Sequence, residues 1–332
     1  MILAGDIGGT KTDLALFQTK GKELSEIRQE TFPSKEFSSL DDVIRKFLPG
    51  GGGAPSIRSA CFGVAGPVIN GRCETTNLPW IIDAKETGRR FGIPTVTLLN
   101  DLEATAYGTL RLSEQESFVL NGGEPRIKGN RCVIAAGTGL GESILFWNGS
   151  QFLASATEGG HADFAPRNSI EIKLLKYLLN RHSRVSYERI LSGPGLLTVY
   201  QFLKESGQGE EPSWLKESLE REDPAAVIAE TALEEKSELC MKTLDLFTSI
   251  YGAEAGNLAL KAMATGGVYI GGGIGKKILK KLRKGAFLES FKDKGRMGPL
   301  MNRMPVKVIL NEKAALLGAV QYAGHFTLSK AT

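Results

Sequence analysis

Two polar residues follow an apolar run near position 100, and their side chains are suited to proton transfer. The run at residues 95–99 has no polar face, which predicts a parallel strand covered on both sides, and it is followed directly by Asn100 and Asp101. Ligands of open α/β sheets collect at the carboxyl ends of strands. Asp101 can accept a proton from a substrate hydroxyl while the Asn100 amide orients the same substrate. A helix is predicted immediately afterwards, so Asp101 is equally suited to cap that helix, and both roles stay open.

A second group of polar side chains lies in a glycine-rich stretch that contains Glu158, two consecutive glycines and His161. Glu-x-x-His spacing occurs in metal sites on helices, but paired glycines disfavour a helix here. We expect instead a loop that presents Glu158 and His161 to a polyol, since both side chains can bind hydroxyl groups. The alternative that His161 is purely structural stays open.

Three glycine-rich turns, at residues 5–10, 137–141 and 271–275, each follow an apolar stretch. Glycine lets main-chain N–H groups approach an anion, and a threonine hydroxyl adds a donor in the first two turns. Each turn alone is more simply a plain hairpin. Three such turns, with Asp6 in the first, predict a nucleotide held between two domains.

Two common nucleotide motifs are excluded by spacing. A P-loop requires Gly-Lys-Ser/Thr, but Thr10 separates Gly9 from Lys11, and Lys277 follows Lys276. A dinucleotide fold requires G-x-G-x-x-G after its first strand, and no glycine turn supplies it. Hydride transfer on a Rossmann site is therefore disfavoured.

Composition excludes further classes of protein. The 332 residues favour two domains, and a net charge of +4 is too small to indicate nucleic acid as a partner. Four cysteines without C-x-x-C spacing indicate neither a zinc site nor a disulfide framework. No apolar run approaches the ~20 residues of a membrane span. With no leader pattern after Met1, we expect a cytoplasmic protein.

The strand–turn–strand pattern of the N-terminus restarts at Arg131, which predicts a second domain of the same ancestry. Helical patterns follow at residues 170–179, 196–203 and 225–263, and a last apolar helix at 314–326 is expected to return to the first domain. We therefore predict a small α/β domain formed by residues 1–110 and 312–332, and a large α/β domain formed by residues 111–311.

The whole chain resembles the bacterial glucokinases of the hexokinase and actin-like ATPase superfamily. The related zinc-binding repressor and kinase group is disfavoured, because no cysteine cluster follows His161. The segments that carry the resemblance are residues 5–10, 99–101, 136–141, 158–166 and 188–195.

The resemblance implies a two-domain α/β fold of the actin-like ATPase (ribonuclease H-like) type, with a cleft between a small and a large domain. It also implies ATP-dependent phosphorylation of D-glucose to glucose 6-phosphate, with Asp101 as general base on the 6-hydroxyl. Asp6 is then expected to hold Mg²⁺ through water. Composition alone predicts that Glu188 is a surface glutamate on a helix, and only the resemblance gives it a role. Lys11 stands where many of these enzymes have asparagine, and it is a candidate phosphate contact.

The residues implied in ligand binding form two sets. The sugar set is Asn100, Asp101, Glu158, His161 and Glu188. The nucleotide set is Gly5, Asp6, Gly8, Gly9, Thr10, Lys11, Gly137, Thr138, Gly139, Gly271, Gly272 and Gly273.

Two other functions stay open at this point. A kinase for mannose, glucosamine or an N-acetylhexosamine is one, because spacing does not report which hydroxyl or amide a pocket accepts. A non-catalytic, sugar-responsive regulator on the same fold is the other, although the presumed base is present. Glucose and ATP are the expected ligands, neither a nucleic-acid nor a membrane partner is expected, and the resemblance implies a homodimer.

Overall fold

The computed structural model describes residues 1–20, 23–48 and 56–329, and it divides into two compact units. The first unit is formed by Met1–Glu116, Phe152–Ala156 and Asn311–Thr332, and the second by Ser117–Gln151 and Thr157–Leu310.

Strands and helices alternate through much of the chain. The strands are β1 (Ile2–Ile7), β2 (Lys11–Lys20), β3 (Glu23–Pro33), β4 (Ser59–Val64), β5 (Val68–Ile69), β6 (Arg72–Glu74), β7 (Ile81–Asp83), β8 (Thr95–Asn100), β9 (Ser117–Asn121), β10 (Arg131–Ala136), β11 (Leu140–Trp147), β12 (Phe152–Thr157), β13 (Gly267–Gly271) and β14 (Val306–Ile309). The α-helices are α1 (Leu40–Phe47), α2 (Ala84–Phe91), α3 (Asp101–Gly108), α4 (Ser169–Leu179), α5 (Gly193–Glu205), α6 (Ser213–Arg221), α7 (Pro224–Leu233), α8 (Glu238–Ala262), α9 (Gly272–Lys277), α10 (Leu279–Leu282), α11 (Ala286–Lys292), α12 (Gly298–Arg303) and α13 (Ala314–Ser329).

The first unit is built on a mixed sheet with strand order β3-β2-β1-β4-β8. β1 pairs antiparallel with β2 and parallel with β4, and β8 extends the parallel part. A side chain at Gly5 would lie 2.7 Å from Phe62 Cδ1 and 2.8 Å from Leu14 Cδ2, so the close packing of this sheet requires glycine there. Because β1, β4 and β8 are parallel, their carboxyl ends lie at the same end of the sheet.

The C-terminal helix α13 packs against α3, β1 and β4 of the same unit. A Cβ at Gly318 would overlap the Ala104 carbonyl oxygen, and one at Gly108 would overlap that of Ala314. These glycines allow α3 and α13 to approach closely, and the predicted return of the last helix to the first domain is confirmed.

The second unit contains adjacent strands in the order β11-β10-β13-β14-β9. β10 pairs antiparallel with β11 and parallel with β13, which repeats the arrangement of β1, β2 and β4. The long helix α8 packs against α5, α7 and α11 and carries much of the buried surface. The predicted repeat of the strand–turn–strand pattern is therefore confirmed.

Two details of the sequence-based predictions are wrong. The helical pattern at 225–263 is interrupted between α7 and α8, where Glu235 adopts φ 59° and Ser237 caps α8. The strand at 95–99 was expected to be covered on both faces, but β8 lies at the edge of its sheet and Thr95 to Thr97 are only half-buried. Periodicity alone does not report the position of a strand in its sheet.

None of the described helices combines the length and apolar character that crossing a bilayer requires.

Candidate active site

The end of β8 carries the first pair of predicted site residues. Asn100 caps α3: its Oδ1 accepts a hydrogen bond of 2.9 Å from Leu102 N, while Glu103 accepts one of 3.0 Å from Asn100 N. Asp101 is the first residue of the helix, and its Oδ1 also accepts from Leu102 N at 2.9 Å. The cap considered for Asp101 therefore belongs to its neighbour, and Asp101 projects from a rigid helix start.

Asp6 lies near the carboxyl end of β1, at the same end of this sheet as Asp101. Asp6 pairs with Gly63 of β4, and a Cβ on Gly63 would lie only 3.9 Å from Asp101 Cα. Loss of hydration, followed by the negative charges of Asp101 and Asp13, raises the pKa of Asp6 to about 7, and Lys11 opposes the shift. The first unit thus concentrates negative charge where the two predicted carboxylates lie.

The first glycine turn is held by residues that sequence reasoning missed. Ser34 Oγ donates to the Gly8 carbonyl at 2.8 Å, and Ser34 N donates to the Thr10 carbonyl at 3.0 Å. A Cβ on Gly9 would lie 2.6 Å from Asn77 Cβ, so Asn77 covers the turn from the other side. Thr10 and Lys11 are exposed, and Lys11 Nζ lies 3.6 Å from Asp13 Oδ2. Gly5, by contrast, lies inside β1 and is buried.

The second and third glycine turns lie side by side in the second unit. Ala135 of β10 pairs with Gly271 of β13, so the turn after β10 and the first residues of α9, which stand where a third turn was predicted, share one end of the sheet. Gly272 adopts φ 76°, and a Cβ there would overlap the Ala136 carbonyl oxygen. A Cβ added to Gly137 or to Gly273 would have no other atom within 4 Å. The structure thereby brings together six of the residues predicted to bind a nucleotide: Gly137, Thr138, Gly139, Gly271, Gly272 and Gly273.

Three of the predicted sugar residues form one cluster in the same unit. His161 Nε2 lies 3.8 Å from Glu158 Oε2, and His161 Nδ1 lies 3.7 Å from Glu188 Oε1. The His161 side chain is 56% exposed, which separates it from a core histidine. Instead of the predicted loop, Gly159–His161 forms a single turn of 3₁₀-helix.

Glu188 connects this cluster to the second glycine turn. Its Oε2 accepts a hydrogen bond of 2.9 Å from Leu140 N, and a Cβ on Gly139 would lie 2.5 Å from the same oxygen. The composition-based interpretation as a surface glutamate on an α-helix is wrong. Glu188 lies in the 3₁₀ turn Tyr187–Arg189 and is only one-third exposed, because the chain turns back before α5 begins.

Comparisons with known proteins show the family of the chain. The family model described as Glucokinase matches residues 3–325. A curated relative from Trichormus variabilis, named glucokinase, is 42% identical, and the match covers 96% of this chain and 97% of that protein. The chain belongs to the glucokinase family.

Solved structures confirm the fold expected of that family. The crystal structure of a glucokinase from an Antarctic psychrotroph superposes with a TM-score of 0.85 at 30% identity and covers 98% of both chains. A ROK family glucokinase from Streptomyces griseus, solved with glucose and AMPPNP, gives a TM-score of 0.62 at 20% identity and covers 98% of this chain and 99% of its own. The predicted α/β fold of the actin-like ATPase type and the family resemblance are both confirmed.

Two further polar residues close to the site were missed. Glu142 lies in β11 between Gly141 and Ser143, and Glu254 lies in the middle of α8 between two alanines. Both side chains are buried. A charged residue in an otherwise apolar strand or small-residue stretch is the sequence signal that marks such positions.

Proposed function

We propose that this glucose kinase uses Asp101 as the general base on the 6-hydroxyl of D-glucose, and that ATP is the phosphoryl donor. That the chain is an enzyme of the glucokinase type follows from its family. The proposal concerns the residues that perform the reaction, and the enzyme class disfavours the alternative of a non-catalytic regulator.

One observation carries the proposal. The two oxygens of a single carboxylate, Glu188, face different parts of the second unit: Oε1 faces His161, and Oε2 accepts from the main chain directly after Gly139. Groups that suit sugar hydroxyls therefore lie beside a glycine turn that suits phosphate. A kinase requires this neighbourhood, because acceptor and donor must meet at reacting distance.

The roles follow from the chemistry of each group. Glu158 and Glu188 accept hydrogen bonds from sugar hydroxyls, and His161 binds a hydroxyl through either ring nitrogen. Asn100 orients the acceptor group. Asp101 takes the proton of the 6-hydroxyl as the new O–P bond forms, while the bond to the bridging oxygen breaks and its electron pair leaves on ADP.

The glycine turns fit a triphosphate. At Gly137 and Gly273 the place of a side chain is open space, so a phosphate can approach the main-chain N–H groups there. Thr138 is exposed and adds a hydroxyl donor. Thr10 and Lys11 of the first unit are the corresponding candidates on the other turn, and Lys11 is a candidate phosphate contact.

Asp6 fits a magnesium ion held partly through water. No cluster of three or more metal-ligating side chains occurs in the described part of the chain. Mg²⁺ in kinases is commonly bound by one or two carboxylates together with phosphates and waters. Burial and the nearby Asp101 and Asp13 make the charged form of Asp6 unfavourable, and a bound cation relieves that penalty. When bound, Mg²⁺ would neutralise charge on the transferring phosphoryl group.

We also propose the predicted division into a small domain (1–110 and 312–332) and a large domain (111–311), which the two compact units support. Homodimerisation and a cytoplasmic location stay predictions.

A panel of hexoses at fixed MgATP tests the proposal. We expect the highest kcat/KM for glucose among glucose, mannose, glucosamine and N-acetylhexosamines, with glucose 6-phosphate as the product. A higher kcat/KM for another hexose, or phosphorylation at another hydroxyl, contradicts it. Exchanging ATP for ADP or polyphosphate in the same assay tests the donor.

A further inference from the structure

Two buried glutamates lie beneath the sugar cluster and have no role in the reaction described above. Glu142 of β11 is 3% exposed, and Glu254 of α8 is completely buried. Their carboxyl groups are within hydrogen-bonding reach of each other. One oxygen of each, Oε1, has no hydrogen-bond partner among the described residues. A single proton between the two carboxyl groups supplies the donor that both oxygens lack.

The electrostatics of the pair favour the protonated form. Burial raises the pKa of Glu142, the charge of Glu254 raises it further, and Lys261 opposes the shift. Burial also raises the pKa of Glu254, against hydrogen bonds from Asn257 and Tyr187. Two carboxylates that share a buried site cannot both ionise easily, so the pair retains one proton above the usual range of glutamate.

Glu142 touches the turn that carries Glu158 and His161. The Glu142 carbonyl accepts a hydrogen bond of 3.0 Å from Thr157 Oγ1, which in turn accepts one of 3.2 Å from Gly159 N. A Cβ on Gly159 would overlap Glu142 Oε2, so the carboxyl group lies directly against this turn. Movement of the carboxyl group away from Glu254 therefore pushes on the turn.

Glu254 is connected to the second sugar-binding turn. Its Oε2 accepts a hydrogen bond of 2.9 Å from Asn257 Nδ2, which also donates to Tyr187 Oη at 3.1 Å. Tyr187 N donates to the Ala162 carbonyl at 3.0 Å. Tyr187 directly precedes Glu188 in the chain, so the pair reaches both turns of the sugar cluster through packed, hydrogen-bonded neighbours.

We propose that Glu142 and Glu254 share one proton and act as positioning residues that hold the two turns in their sugar-binding geometry. Loss of that proton places two negative charges together, and their repulsion displaces Glu158, His161 and Glu188. This inference rests on the proposed sugar-binding role of those residues. The other titratable groups that act on the pair or on its direct neighbours are Cys132, Arg167, Tyr187, Tyr251, Lys261 and Lys294.

The variant Glu142→Gln isolates the shared proton from these other groups. Its amide keeps the shape of the side chain and offers Glu254 a permanent N–H donor. In the wild type, KM for glucose should rise with pH between about pH 6 and about pH 9, by up to about tenfold per pH unit once the proton is lost. Because the pair acts through sugar binding, kcat should change much less. Glu142→Gln should bind glucose as the wild type does at low pH and show a flat KM profile.

Glu211→Gln is the matched control. Glu211 is a carboxylate of the same unit with a side chain only 10% exposed, and it is bonded to Tyr200 and Lys204 rather than to the sugar turns. It should retain the wild-type dependence of KM on pH. If Glu142→Gln does not fold, Glu254→Gln supplies the same donor from the other side. An equal rise of KM in the wild type and in the folded amide variant overturns the inference.

An infrared difference spectrum tests the proton without reference to activity. At neutral pH the wild type should show a protonated-carboxyl band that Glu142→Gln lacks, and absence of the band overturns the inference. Calorimetric titration with glucose separates the two proposals. If the wild type binds no glucose at any pH while the band is present, the proposed function fails, and the positioning role fails for that reason alone.

Discussion

The two glycine and threonine turns follow the same strand–turn–strand pattern, yet they are packed differently. In the first turn, Gly9 lies against Asn77, and Ser34 holds the Gly8 carbonyl. In the second, Gly137 faces open space and Gly139 lies against Glu188. The repeated backbone supplies main-chain donors in both units. What differs is the side chain that covers each turn.

The charges beside the two turns also differ. The first turn follows a strand that carries Asp6, a half-buried carboxylate whose raised pKa reflects loss of hydration and the nearby Asp101 and Asp13. The second turn is bonded by the carboxylate of Glu188, which also faces His161. The first region is therefore suited to a metal ion and proton transfer, and the second to phosphate and sugar hydroxyls.

The largest expected effect comes from removing the proposed base, Asp101, in the first region. Asp101→Asn keeps the size of the side chain but cannot accept the substrate proton, so kcat should fall by roughly 10²–10⁴-fold in a coupled assay. The control is Asp83→Asn in the same unit. Asp83 caps α2 by accepting from Lys85 N and Glu86 N, and asparagine caps a helix equally well. Turnover within a few-fold of wild type in Asp101→Asn would rule out the assigned role.

The next largest effect should come from the sugar cluster of the second region. Glu188→Gln removes a charged acceptor, so we expect KM for glucose to rise by about 10- to 100-fold, with a smaller change in KM for ATP. Glu205→Gln is the control, because Glu205 is an exposed carboxylate of the same unit that pairs with Arg181. A larger effect on ATP than on glucose would reverse the assignment.

A pair of alanine variants sharpens the difference within the second turn itself. Gly139→Ala places a Cβ 2.5 Å from Glu188 Oε2, and displacement of that carboxylate should raise KM for glucose by about two- to tenfold. Gly137→Ala meets no atom within 4 Å, so it should leave thermal stability and KM for glucose unchanged and raise KM for ATP. If both variants raise the KM for the same substrate, Gly137 and Gly139 do not serve different substrates.

The last prediction concerns the pH dependence of stability that arises from Asp6, not turnover. Its folded-state pKa is raised to about 7, so the folded protein holds a proton that the unfolded chain releases. The free energy of unfolding should therefore fall as pH rises from about 4 to about 7, and Asp6→Asn should reduce that dependence. Thermal unfolding without Mg²⁺ or nucleotide measures it. Parallel curves for the wild type and the variant would show that Asp6 does not titrate in this range.

Much of the fold was predictable from local pattern. The strand–turn–strand repeat and the ends of α1, α2 and α4 follow from periodicity, caps and glycine, which act over a few residues. The break between α7 and α8 was missed because Glu235 is a non-glycine residue with positive φ, which composition does not signal.

The site was less predictable than the fold. Asp101 and His161 stood out through their neighbours, whereas Glu188 required the family resemblance because its partner Leu140 is 48 residues away. Glu142 and Glu254 were missed for the same reason: their pairing joins a strand to a distant helix. Contacts between residues far apart in the chain are decided by packing, which single-sequence periodicity does not contain.

The most direct test of the central claim compares glucose with 6-deoxyglucose, which lacks the hydroxyl that Asp101 is proposed to bind. Calorimetric affinities of both sugars for the wild type and for Asp101→Ala form a cycle that isolates the contact between Asp101 and that hydroxyl. We predict that Asp101→Ala weakens glucose binding by about 10- to 100-fold and leaves 6-deoxyglucose binding almost unchanged. An equal loss for both sugars would contradict the assignment of Asp101 to the 6-hydroxyl.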